Sequence, residues 1–62
     1  VLSVQEHKVL ALVSEGYSNK EISAELGLTE KTVRNYLYKL YKKMNVKRRS
    51  QAMRLYLKQH HA

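Results

Sequence analysis

The chain has 62 residues, no cysteine, no proline and a formal net charge of +7, which permits one small domain and excludes a disulfide scaffold or a thiolate zinc site. Helix-forming residues dominate and glycine occurs only twice, so the composition predicts an all-α domain. No apolar run approaches the roughly 18 residues of a membrane span, and no signal peptide opens the chain. We therefore expect a cytoplasmic protein without a membrane partner, and interpret residues 1–62 as one domain from a longer protein.

Two capping boxes mark the starts of the first two helices. In Ser3-Val4-Gln5-Glu6, the serine hydroxyl accepts from the glutamate amide while the carboxylate accepts from the serine amide. This pattern predicts a first helix over residues 4–15, ended by Gly16. Ser18-Asn19-Lys20-Glu21 repeats the pattern and predicts a short second helix that Gly27 closes.

The junction Leu26-Gly27-Leu28-Thr29 joins the second helix directly to a third. Gly27 suits the left-handed position after a helix, and Thr29 suits the N-cap of the next one. A turn this short makes the two helices cross steeply, which is the geometry of a helix-turn-helix unit. We expect the buried contacts between them to come from Ile22, Leu26, Leu28 and Val33.

The third helix, predicted over residues 30–44, has an apolar side and a cationic side. At about 100° per residue, the apolar side consists of Val33, Tyr36, Leu37, Leu40 and Met44. The opposite side consists of Lys31, Arg34, Asn35, Tyr38, Lys39 and Lys42. Residues 31–62 contain ten Lys and Arg and no acidic residue, whereas residues 1–30 contain two lysines against five glutamates. This segregation predicts a polyanionic partner, and a helix of this kind suits the major groove of DNA.

Asn45 and Val46 are expected to cap and anchor the third helix, and a basic link over residues 47–49 leads to a fourth helix over about residues 49–58. The apolar arc of the fourth helix spans roughly 200°, about twice what one core requires. We assign Ala52 and Leu55 to the core, and propose that self-association uses Met53, Tyr56 and Leu57. The alternative is ordinary apolar exposure on a small domain. His60 and His61 are interpreted as a disordered tail rather than a metal site.

A further pattern covers nearly the whole chain and consists of Gly16-Tyr17-Ser18-Asn19-Lys20-Glu21-Ile22, Leu26, Thr32-Val33-Arg34, Leu40, Lys43-Met44, Val46 and Arg49-Ser50-Gln51-Ala52. These residues and their spacing resemble the DNA-binding domain of the LuxR, FixJ, NarL and GerE family. The resemblance implies a four-helix bundle, a helix-turn-helix made by the second and third helices, and homodimerisation through the fourth. It also implies a bacterial transcription regulator, commonly the effector domain of a two-component response regulator with an amino-terminal receiver or ligand-binding domain.

Carried over by position, the family's base-reading residues are Arg34, Asn35 and Tyr38. The resemblance places backbone contacts at Lys20, Thr32, Lys39 and Lys43, and the cationic side of the third helix adds Lys31 and Lys42. The helical positions agree on Arg34, Asn35, Tyr38 and Lys39 and disagree on Lys43, which falls at the edge of the core. Tyr36 and Ser23 stand where many members have His and Ala. Tyr38 stands where a basic residue is frequent, so contact with a base or with a phosphate stays open.

Arg34 suits a bidentate pair with guanine and Asn35 suits one with adenine, each worth about 1–3 kcal/mol of discrimination. Phosphates suit the remaining cations, whose binding releases counterions: Lys20, Lys31, Lys39, Lys42 and the cluster Lys47, Arg48 and Arg49. A competing interpretation is a protein-interaction module whose basic face meets an acidic partner such as an RNA polymerase subunit. An enzyme is not expected, because all five carboxylates lie in residues 1–30 and no nucleophile, base and acid converge. No cofactor or metal is expected.

Overall fold

Four helices make up the part of the chain that the computed structural model describes, residues 2–60. In chain order they are α1 Val4–Ser14, α2 Asn19–Leu26, α3 Glu30–Met44 and α4 Arg49–His60. The all-α class and all four predicted helices are confirmed. None of these helices has the length and apolar character needed to cross a membrane.

The predicted helix ends agree with the structure to within two residues. α1 ends at Ser14, with Glu15 as its C-cap, so it is one residue shorter than predicted. α4 continues through His60, two residues beyond the predicted end. The interpretation of a disordered tail is therefore wrong for the backbone of His60, while His61 lies outside the described residues.

Both predicted capping boxes are present. The Glu6 amide donates to Ser3 Oγ over 3.2 Å, and the Ser3 amide donates to Glu6 Oε1 over 2.9 Å. The same reciprocal pair joins Ser18 and Glu21 at 3.1 and 2.8 Å. Each box satisfies two backbone groups that a helix start would otherwise leave without partners, so the starts of α1 and α2 are determined by local sequence.

The turn between α2 and α3 has the geometry that its sequence predicts. Gly27 adopts φ 68°, ψ 35°, and its amide donates to the Ser23 carbonyl. The Leu28 amide donates to the same carbonyl over 2.9 Å. Thr29 is the N-cap of α3, because its hydroxyl accepts from the Thr32 amide over 3.1 Å. Three residues therefore separate the two helices, which form the helix-turn-helix unit.

A single core lies between the helices and consists of Val9, Leu10, Val13, Ile22, Val33, Leu37, Leu40 and Ala52. α1 packs against both α3 and α4, and α2 packs mainly against α3. Leu26, Leu28, Tyr36 and Met44 are partly buried against this core. The predicted apolar side of α3 is thus confirmed, and the packing of α1 and α2 leaves the other side of α3 facing outward.

The division of α4 into core and outer faces differs from the prediction. Ala52 is buried as expected, but Leu55 is only half-buried and lies outside the core cluster. Met53 and Tyr56, the residues predicted for self-association, are partly buried against the core. The inward stripe runs through positions 49, 52, 53 and 56, because residues three or four apart share a helix face. Leu57, 53% exposed, remains on the outside.

Candidate nucleic-acid interface

The outer face of α3 brings together the residues that the sequence predicts for DNA contact. All are exposed: Lys31, Arg34, Asn35, Tyr38, Lys39 and Lys42. A shallow depression on this face is lined by Thr32, Asn35, Tyr36 and Lys39. Since Val33, Leu37 and Leu40 are buried behind this face, the helix is held rigidly while its polar side chains stay accessible. The face is therefore a cationic ridge with an amide and a phenol among its charges.

The beginning of α3 offers a hydroxyl and a helix terminus to an anion. Thr29 Oγ1 donates to Thr32 Oγ1 over 2.9 Å while accepting from the Thr32 amide. The Thr32 hydroxyl thus acts as an acceptor inside the cap. The partial positive charge at a helix N-terminus favours phosphate at such a position. Lys20, exposed in the first turn of α2, is similarly placed at a helix start.

Tyr38 and Lys42 form a pair within the outer face. Lys42 Nζ lies 4.7 Å from the centre of the Tyr38 ring, a cation–π contact between residues four apart on the helix. The Tyr38 side chain is 64% exposed, so the contact covers only one face of the ring. Lys42 therefore restrains the orientation of Tyr38, a coupling that the sequence analysis did not predict.

Lys43 has a different environment from the other lysines of α3. Its Nζ lies 2.8 Å from Glu6 Oε1 on α1, in an ion pair with a carboxylate that is almost fully buried. Hydrogen bonds from Lys43 and from the Ser3 amide lower the pKa of Glu6 from 4.5 to about 2. Lys43 thus acts inside the domain, as its helical position at the core edge suggested. The capping role of Glu6 was predicted but its burial was not, although its spacing from Val9 and Leu10 places it on the apolar side of α1.

Arg49 also has a partner inside the domain. Its guanidinium donates to the Tyr17 carbonyl and, over 2.9 Å, to Asn19 Oδ1. The predicted basic link of residues 47–49 is therefore not uniform: Lys47 and Arg48 are exposed, whereas Arg49 is half-buried. Gln51 Oε1 accepts from the amides of Lys47 and Arg48 and organises the start of α4. Sequence spacing alone does not reveal the partners of Arg49, because they lie 30 and 32 positions away in the chain.

Acidic side chains are sparse and scattered in this domain. Glu6 and Glu21 serve as capping groups, and the pKa of Glu21 is lowered by hydrogen bonds from the Ser18 amide and hydroxyl. Within residues 2–60 no cluster of three His, Cys, Asp or Glu is placed to hold a metal ion. The outer face of α3 therefore stands out as a cationic surface whose chemistry suits binding of an anion.

Comparison with known proteins shows which family this sequence resembles. A family described as bacterial regulatory proteins, luxR family, matches residues 1–56. The probable HTH-type transcriptional regulator GfsR of Streptomyces halstedii is 48% identical over 52 residues, which cover 84% of this chain and 21% of that protein. The DNA-binding transcriptional activator DevR/DosR of Mycobacterium tuberculosis is 47% identical over 51 residues, covering 82% of this chain and 24% of that protein.

The spore germination protein GerE of Bacillus subtilis is 42% identical over 53 residues, which cover 86% of this chain and 72% of that protein. The chain otherwise spans only about a fifth to a quarter of the length of the first relatives it matches. GfsR is described as a probable transcriptional regulator, and DevR/DosR as a DNA-binding transcriptional activator. The chain belongs to the luxR family of bacterial regulatory proteins, and its α2 and α3 form a helix-turn-helix unit.

Proposed function

We propose that this domain binds duplex DNA in a sequence-specific manner, with α3 in the major groove. The observation that carries the proposal is the outer face of α3, where Arg34 and Asn35 are exposed among lysines while the opposite side is buried. An α-helix fits the width of the major groove, and base edges there present distinct donor and acceptor patterns. The first two turns of a recognition helix are the part that reaches these edges.

Base reading is assigned to Arg34, Asn35 and Tyr38. The guanidinium of Arg34 suits the two acceptors of guanine, and the Asn35 amide suits the acceptor and donor of adenine. Tyr38 has an exposed hydroxyl-bearing ring that Lys42 holds from one side. That ring reaches either a base or a phosphate, depending on how deeply α3 enters the groove.

Phosphate contacts are assigned to the exposed cations around this centre and to one hydroxyl: Lys20, Lys31, Thr32, Lys39, Lys42, Lys47 and Arg48. Lysines act as point charges that displace condensed counterions, so they add affinity without reading sequence. Lys43 is left out of this set because its ammonium is paired with the buried Glu6 carboxylate. Moving Lys43 to a phosphate would leave that carboxylate without its ion-pair partner.

The domain is also proposed to work as a homodimer and as part of a longer protein. Leu57 offers exposed apolar surface on α4, next to Met53 and Tyr56, which the core covers only in part. Two copies on half-sites about one helical turn apart would combine two weak interfaces into one specific site. The relatives are mostly four to five times longer than the matched segment, which favours a separate sensor domain such as a response-regulator receiver. RNA polymerase is a further candidate partner of the regulator.

The test is selection of bound sequences from a random DNA pool, followed by affinity measurements with the double variant Arg34→Ala/Asn35→Ala. We expect the parent chain to enrich one half-site motif, and the double variant to lose preference for it. Lys58→Ala, an exposed cation on α4, is the matched control and should keep the preference. Enrichment of no motif, or an unchanged DNA affinity in the double variant, would favour a basic face that binds an acidic protein instead.

A further inference from the structure

Arg49, the first residue of α4, contacts the start of α2, the first helix of the helix-turn-helix unit. Nη1 donates to Asn19 Oδ1 over 2.9 Å, and Nη2 donates to the Tyr17 carbonyl. The link that leads to Arg49 is tied to α3, because the Val46 amide donates to the Tyr41 carbonyl over 2.9 Å. One side chain therefore joins the start of α2 to the start of α4, close to the point where the chain leaves α3.

The chemistry of the guanidinium makes this contact geometrically strict. Its donors lie in one rigid plane, so two acceptors held at once are fixed in distance and direction relative to each other. The surroundings are partly shielded from water: Arg49 is half-buried, and burial raises the pKa of Tyr41 while Arg49 opposes the shift. Hydrogen bonds in such surroundings are stronger than at an open surface.

The acceptors lie at a functionally sensitive point. Tyr17 and Asn19 flank Ser18, the N-cap of α2, and Lys20 follows directly. Lys20 is exposed at the start of α2, where the proposed function places a phosphate contact. A shift of Tyr17 or Asn19 therefore moves Lys20 relative to the base-reading residues of α3.

We propose that Arg49 is a positioning residue for DNA recognition: it fixes the start of α2 against the junction between α3 and α4, and so sets the distance between the Lys20 phosphate contact and the base contacts of α3. Nη1 and Nη2 of Arg49 each donate inside the domain, so we expect no direct contact between Arg49 and DNA in this arrangement. The inference rests on the proposed function, since it concerns the distance between the phosphate contact of Lys20 and the base contacts of α3. Binding sites require geometry fixed to about 0.5 Å, which a bidentate contact can supply.

The test compares Arg49→Lys and Arg49→Gln with the same substitutions at Arg48, the exposed neighbour. Affinity for the selected DNA site and for unrelated DNA is measured across a range of salt concentrations, at a temperature where circular dichroism shows each variant fully folded. For both Arg49 variants we expect about a tenfold loss for the selected site, with little change for unrelated DNA or in the salt slope. Lysine should not rescue Arg49, because one ammonium cannot reproduce the planar fork.

Arg48 should respond as a phosphate contact, with a salt slope lowered by about 0.9 in Arg48→Gln and retained in Arg48→Lys. The same response at Arg49 would overturn the inference, as would unchanged affinity of the folded Arg49 variants for the selected site. If an Arg49 variant does not fold, Asn19→Ala removes one acceptor only. It should give a smaller loss of the same kind, with shifted amide resonances at residues 18–21, and unchanged selectivity in Asn19→Ala would contradict the inference.

The two proposals fail in different ways. If the parent chain shows no preference among DNA sequences, the proposed function itself is wrong. If the parent chain is selective and the folded Arg49 variants are equally selective, only the positioning role of Arg49 is wrong.

Discussion

Lys43 and Glu6 lie 37 positions apart in the sequence, yet Lys43 Nζ is 2.8 Å from Glu6 Oε1. The carboxylate is almost fully buried, whereas the lysine side chain remains about half exposed. Glu6 also accepts from the Ser3 amide, so one carboxylate caps α1 and joins it to α3. α1 is thereby held against the inner side of α3 by a charged contact as well as by the apolar core.

Because of this ion pair, we expect the stability of the domain to fall at acidic pH. The folded state lowers the pKa of Glu6 from 4.5 to about 2, so the unfolded state binds a proton at a higher pH than the folded state does. The stabilisation is therefore complete above about pH 5 and is lost as the pH falls towards 2. Lys43→Met should move the acid unfolding midpoint, followed by circular dichroism, to a higher pH. Lys42→Met on the same helix is the control, and equal midpoints for the two variants would contradict the prediction.

We expect substitution of Gly27 to carry a conformational cost in the turn between α2 and α3. Its φ of 68° is unfavourable for residues with a Cβ, and a Cβ built there meets no atom within 4 Å. The cost of Gly27→Ala is therefore in the backbone, and about 1 kcal/mol of unfolding free energy should be lost in urea titrations. Gly27→Asn should lose less, because Asn tolerates the left-handed region, as Asn45 does at the end of α3. Equal losses for both variants would argue against a backbone origin.

Features that depend on neighbouring residues were predicted well from the sequence. The capping boxes and the Gly27 turn use residues within four positions of each other, so they can be recognised from spacing alone. Glu6 and Arg49 could be placed on helices in the same way, but their partners depend on how the helices pack. The inward stripe of α4 was misassigned for a related reason: its apolar arc is wide, and only contact with α1 and α3 selects Met53 and Tyr56 over Leu55.

Substitution of Leu40 tests how much the small core contributes to the free energy of unfolding. It is fully buried on the inner side of α3, so Leu40→Ala should remove about 2–5 kcal/mol from the unfolding free energy. Because a domain of this size has a low free energy of unfolding, circular dichroism should show the variant largely unfolded at 37 °C. Leu57→Ala, measured as a dilute monomer, should change stability by no more than about 0.5 kcal/mol. Similar losses from the two substitutions would contradict the assignment of the core.

Substitution of Leu57 also tests whether α4 forms the proposed dimer interface. A carboxylate in an apolar interface is costly to desolvate, so Leu57→Asp should weaken self-association, measured by sedimentation equilibrium, by at least tenfold. Val4, 75% exposed at the start of α1, is the matched apolar control, and Val4→Asp should leave self-association unchanged. If both variants associate like the parent chain, α4 is not the dimer interface.

We expect Lys39 and Arg34, which lie on the same face of α3, to have different roles. Lys39 adds affinity for any DNA, and Arg34 reads the DNA sequence. Lys39→Ala should weaken binding to every DNA sequence alike and lower the salt slope by about 0.9, because one phosphate contact is lost. Lys39 is a cleaner choice than Lys42, whose removal would also release the Tyr38 ring. Arg34→Ala should cost about 1–3 kcal/mol for the selected site and relax its preference at one base pair. Binding measured across salt concentrations on selected and unrelated duplexes separates these effects, and identical responses from the two variants would place Arg34 on the phosphates rather than on the bases.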